Sequence, residues 1–236
     1  MTLPPLELLL VLGVIGFYLQ DSAMLLHYDE IVVVRHGRRW QASAGSSSQI
    51  GGRYPYLPDP LQPASPLFRS GWLADPARAR REHWAGFDHY LAALDTFRPA
   101  CWTLWSLLLI WLPLLLWRSA SPTIMLGLAL LIYLNVLKIG LHIWRYRRVL
   151  ELSGKQALSL SFELLCCPPH AINVVRRLCA RRGLHGNAID AAQRLLTGAE
   201  RSGIADAIDG RLAMALDFHD GDTRLIAAKQ RLELLR

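Results

Sequence analysis

The chain is predicted to be a mainly α-helical membrane protein. Its three transmembrane helices run N-terminus outside, C-terminus inside. They carry a small cytoplasmic β-hairpin with a Pro-rich segment, an amphipathic helix, and a C-terminal cytoplasmic α-helical domain. Three observations predict this. Of the 236 residues, 52% are hydrophobic and only 19% charged, below the quarter usual in a soluble domain. The missing charge is concentrated in three apolar stretches, at 3–20, 101–117 and 123–144. The basic residues alternate between the segments that these stretches separate. None precedes the first, nine Arg lie between the first and second, one lies between the second and third, and fifteen Lys or Arg follow the third.

Lys and Arg accumulate in the cytoplasmic loops of membrane proteins. The nine-Arg segment and the tail are therefore expected inside, and the N-terminus and the one-Arg linker outside. The same rule accounts for the net charge of +7, so nucleic acid is not expected as a partner. Arg outnumbers Lys 23 to 3, which suggests a GC-rich bacterial genome and hence a bacterial inner membrane.

The first span is expected at 1–20. A spanning helix needs about 20 apolar residues, and Pro4 and Pro5 are harmless in a first turn, where backbone N–H groups have no helical acceptor. No basic segment precedes this stretch, so it is expected to be retained rather than cleaved. Residues 21–74 follow as a cytoplasmic segment. Glu30-Ile31-Val32-Val33-Val34 is β-branched and strand-like, His36-Gly37-Arg38-Arg39 can turn, and Trp40-Gln41-Ala42-Ser43 returns. Residues 44–70 are rich in Gly, Ser and Pro, and Tyr54-Pro55-Tyr56-Leu57-Pro58-Asp59-Pro60 favours an extended polyproline-like loop.

Asp75-Pro76 opens an amphipathic helix over 75–98, by the logic of a cap followed by a first-turn proline. Trp84, Phe87, Leu91 and Leu94 share one face, and Arg78, Arg80 and Arg81 lie near its start. Such a helix suits the membrane interface, or packs on the protein itself. Pro99 is expected to end it. The second span, 100–117, is edged by Trp102 and Trp117 and should kink at Pro113. Only four residues separate it from the third span, 122–144, which implies a helical hairpin with Ser121 as N-cap and Pro122 as the first helical residue. Arg145, Arg147 and Arg148 follow directly, placed to hold anionic lipid. The remainder, 145–236, is expected to form one cytoplasmic domain of short helices near 155–165, 170–182, 188–198, 202–216 and 223–235.

Residues with possible chemistry are few. Asn135, Lys138 and His142 form a polar stripe on the third span. Ionisable groups inside a span suggest an ion path, whereas Asn can bond a neighbouring helix and Lys can snorkel. Cys166, Cys167 and His170 are of the zinc-ligand type, but adjacent cysteines bind one ion awkwardly, and the expectation is buried apolar packing without metal. The tail is taken to be reducing, with no disulfides. Asp217 to Asp222 lacks the calcium-loop pattern. No nucleophile elbow, phosphate loop or dinucleotide fingerprint is present, so neither an enzyme nor a cofactor is expected.

The function expected is a non-enzymatic inner-membrane subunit that anchors or scaffolds a larger bacterial complex. Its partners would be membrane lipids and other membrane or cytoplasmic protein subunits. Tyr54 and Tyr56 are the partner-binding residues expected in the Pro-rich segment, and Arg176, Arg177, Arg181 and Arg182 those expected in the tail. Two alternatives stand beside it. One is an oligomeric transport or channel component that uses the stripe on the third span. The other is a metal- or haem-binding membrane sensor.

Overall fold

The described part of every apolar stretch is helical in the computed structural model, which describes residues 6–73, 84–118, 121–218 and 222–233. The architecture is mainly α with small antiparallel sheets. The chain divides into two compact units. One comprises residues 1–22, 58–64 and 85–178, and the other residues 23–57, 65–84 and 179–236. The expected boundary at 145 is therefore corrected. The tail does not form one domain, because its first helices pack with the apolar helices and its last ones with the strands.

The first unit is helical. α1 (Leu6–Ser22) has 17 residues. α2 (Trp84–Asp95) leads through a turn at Thr96 and Phe97 into α3 (Arg98–Ser106). Pro99 follows the break expected there, since α2 ends at Asp95 and a turn precedes α3. It occupies the first turn of α3, where its missing donor costs nothing. Trp84–Trp117 and α5 (Pro122–Tyr146, 25 residues) are both long and apolar enough to cross a membrane. The start of the expected amphipathic helix, with Arg78, Arg80 and Arg81, lies outside the described residues.

Pro113 sits beside a local widening of the helix. A π-helical stretch, Leu107–Trp111, precedes α4 (Leu112–Trp117), and the Leu112 N–H reaches the Leu107 carbonyl. Widening one turn accommodates a proline that cannot donate in the helical ladder. After α5, Glu151 takes a left-handed φ of 56°, and the chain reverses into α6 (Gly154–Cys166). A capping box starts α6: the Gln156 N–H donates to Ser153 Oγ, and the Ser153 N–H to Gln156 Oε1. The expected 170–182 helix is split at Asn173 into α7 (Pro168–Ile172) and α8 (Val174–Arg182).

The second unit joins strands to helices. β1 (Met24–Leu26) pairs antiparallel with β4 (Tyr54–Tyr56), and a second sheet has the order β3-β2-β5. β2 (Glu30–His36) and β3 (Arg39–Ser43) form the expected hairpin, with Gly37 at φ 62° in its turn. β5 (Leu67–Gly71) pairs with the other edge of β2. The polyproline loop is thus corrected at two places, since Tyr54-Pro55-Tyr56 and Leu67–Gly71 are strands. Polyproline and β backbones are neighbours in dihedral space, and Pro55 is tolerated because β4 is an edge strand.

Leu26, Val32, Val34, Tyr54 and Leu67 form the strand core, with Met24 and Tyr56 packed on it. α9 (Ala188–Leu195), α10 (Gly198–Phe218) and α11 (Thr223–Glu233) complete this unit. α10 runs unbroken past Gly203 and Gly210 and is longer than the helix expected near 202–216.

Candidate functional site

Arg176 is the centre of the most extensive polar cluster in the helical unit. It begins in the last turn of α1, where Ser22 Oγ donates to the Tyr18 carbonyl at 2.9 Å. Asn173 Nδ2 donates to the same carbonyl at 3.0 Å. Asn173 stands at the break between α7 and α8, so its side chain ties that break to α1. One turn on, Arg176 Nη1 donates to Ser22 Oγ at 3.0 Å and to Asn173 Oδ1 at 3.2 Å. Its Nη2 donates to the carbonyls of Asp59 and Gln62 at 2.7 and 2.8 Å. Tyr18 Oη donates to the Pro60 carbonyl at 2.6 Å. Arg176 is only 2% exposed. The cluster ties α1, the 58–64 segment and α8 together. A guanidinium has donors only and does not release its proton, so this arrangement fastens rather than reacts.

Arg176 was expected to be a partner-binding residue on a basic face, and the structure corrects this. The i, i+1 and i+5, i+6 arginines occupy different environments. Arg177 donates to Asp21 at 2.8 Å and to Glu163 at 3.1 Å, with its side chain 23% exposed. Arg181 is exposed and Arg182 half-buried. Tyr54 is corrected likewise. It is buried, its hydroxyl accepts from Gln49 at 2.6 Å, and the Arg211 guanidinium stacks 3.5 Å from its ring centre. Tyr56 is half-buried on the strand core.

Arg211, on α10, has no local sequence signal that marks its role. It donates to the Ala44 carbonyl and reaches those of Tyr28 and Glu30 at 3.4 Å, so one side chain clamps α10 to the strands. Burial lowers its pKa from the ordinary value. Nearby, the Arg69–Glu30 pair (2.5 Å) and the His27 N–H (2.9 Å) hold the Glu30 carboxylate. Burial alone would raise the pKa of Glu30, but these two partners outweigh it and the net shift is downward. For Asp29, burial prevails and the shift is upward.

The polar stripe on α5 is divided. Asn135 Nδ2 donates to the Ala100 carbonyl of α3 at 3.0 Å. His142 sits edge-on to Phe97 at 5.9 Å, with Nδ1 2.8 Å from the Lys138 carbonyl. Lys138 itself is exposed. At the end of α5, Arg145 and Arg148 are exposed, and Arg147 stacks on Trp144 at 4.5 Å.

Of the two aromatics placed at the interface, Phe87 is fully buried, so it packs on this protein and not on lipid. Trp84 is half-buried, with Arg194 stacked 4.7 Å from its ring.

Cys166 is exposed, while His170 packs edge-on to Phe17 and faces Arg177 through Nδ1 at 3.2 Å. Among the described residues no three His, Cys, Asp or Glu side chains are grouped to hold an ion. Cys179 is buried, which pushes its thiol pKa up to about 12.

No protein-family model, curated protein or solved structure matches this chain.

Proposed function

We propose that this chain is a non-enzymatic inner-membrane subunit that anchors a larger bacterial complex. The outward face of α5 carries the reading. Leu126, Leu130, Leu134, Leu137 and Leu141 are each more than half exposed along one helix. Only 22% of the most apolar window of α5 is buried by the protein. An exposed apolar surface of that extent marks a membrane or partner contact, and the length of α5, about 37 Å at 1.5 Å per residue, suits a bilayer.

The three-span topology, N-terminus out and C-terminus in, belongs to the same proposal and rests on the arginine alternation. Partner binding is assigned to the strand unit. Leu25 on β1 and Leu57 just after β4 are 44% and 55% exposed, in place of the buried Tyr54.

Purification in mild detergent is expected to recover a stoichiometric protein partner, and Leu57→Glu is expected to release it while the chain stays folded. A monodisperse monomer with nothing bound would overturn the scaffold reading.

A further inference from the structure

We propose that α6 is a membrane-interface helix, with Leu158, Phe162 and Leu165 covered by acyl chains of the leaflet that surrounds the C-terminal half of α5. The proposal rests on the membrane reading of α5 and adds a lipid contact in a region whose sequence suggested a water-facing domain.

The placement of α6 comes first. The Trp144 ring lies 3.8 Å from the Cβ position of Gly154, and Ser161 Cβ lies 3.4 Å from that of Gly140. These two contacts make α6 antiparallel to the end of α5. Packed helices are separated by about 8–10 Å, so the medium around this part of α5 also surrounds α6. Gly140 is six residues before Tyr146, or about 9 Å along the helix. The 37 Å helix exceeds the 30 Å hydrocarbon core by about 7 Å, so each end projects by roughly 4 Å if shared equally. The middle of α6 then lies about 5 Å below the boundary of the acyl chains, the depth at which amphipathic interface helices sit.

The surface of α6 fits that depth. At about 100° per residue, its residues fall into three sectors. Ala157, Leu160 and Leu164 are fully buried. Next to the Ser161 contact with α5 come Leu165, Leu158 and Phe162, which are 42%, 66% and 65% exposed. Lys155, Gln156, Ser159 and Glu163 form the polar sector, where Glu163 pairs with Arg177. The exposed apolar sector therefore continues the outward face of α5, where Leu137 and Leu141 are 54% and 62% exposed. Arg145, Arg148 and Lys155 are exposed at the turn joining the two helices, positioned for anionic headgroups. A water-facing helix would reverse this arrangement, with polar residues over the exposed arc.

Nitroxide accessibility tests the proposal in the full chain. The chain, with Cys166→Ser and Cys167→Ser, is reconstituted in vesicles of three parts zwitterionic to one part anionic phospholipid. Cys101 and Cys179 are fully buried and stay unlabelled. Single labels are placed at Leu137, Leu158, Ser159, Phe162 and Ile226. The ratio of oxygen to nickel-chelate accessibility is expected to be several-fold higher at Leu137, Leu158 and Phe162 than at Ser159 and Ile226.

If Leu137 is oxygen-rich while Leu158 and Phe162 match Ile226, α6 is in water and the proposal falls, leaving the membrane reading intact. If Leu158 and Phe162 are closed to both reagents, protein covers α6 and the proposal also falls. If Leu137 itself is open to nickel, the membrane reading fails and this proposal with it.

Discussion

Arg176 and Arg181 stand five residues apart on α8 in opposite environments. Arg176 satisfies two backbone carbonyls, Ser22 and Asn173. Arg176→Met leaves these buried acceptors without their donors, at an expected cost of about 3–5 kcal/mol. Arg181→Met, on the surface, is expected to cost less than about 1 kcal/mol, because contacts of exposed charges contribute little. Thermal melts in detergent compare the two directly. Glu30 supplies a pH prediction. Its folded pKa lies below its ordinary 4.5, so its stabilisation is complete above that pH and is lost as the pH falls through the folded value. Urea melts of Glu30→Gln should lose the part of the acid slope below about pH 4.5 that the wild type shows.

Individual elements owe their ends to single polar side chains. Asn187 Oδ1 accepts from the Ile189 N–H at 2.8 Å and caps α9, while its Nδ2 donates to the Trp72 carbonyl at 2.8 Å. The one residue both starts a helix and fixes it to the end of β5. Asn187→Ala is expected to cost about 1.5–3 kcal/mol, the sum of a cap and a buried hydrogen bond. Asp222→Ala removes an exposed cap of α11 and should cost about 0.5–1 kcal/mol. Chemical denaturation followed by circular dichroism ranks the pair. The strand β4 teaches a related lesson. Tyr54-Pro55-Tyr56 is extended in either reading, and only the Met24–Leu26 partner makes it a strand.

At the scale of the whole chain, both units are assembled from interleaved segments. A short stretch such as 58–64 therefore belongs with helices distant from it in sequence. Truncation at residue 178 would remove α9, α10 and α11 from the strands, and the strand unit should then lose protease resistance. Topology is checked by reporter fusions. A reporter inserted at Ser121 is expected to report the outside, and one at the C-terminus the inside. The opposite pattern would sink the proposed orientation while leaving the fold untouched.

The apolar runs of α5 and of the helices before it, the β2–β3 hairpin and the helices near 155–165 and 188–198 were legible in the sequence. Each depends on neighbours within a few residues: period, turn chemistry or a cap. The sequence also placed the basic clusters along the chain. It did not show that Arg176 is buried and Arg181 exposed, that Tyr54 stacks under Arg211, or that α6 lies back along α5. Those outcomes depend on Ser22, Asp59, Ala44 and Gly140, partners tens or more than a hundred residues away. Local propensity carries no information about such partners. The tertiary structure alone decided which arginines fasten the molecule and which face outward, because burial is set by what packs from elsewhere in the chain.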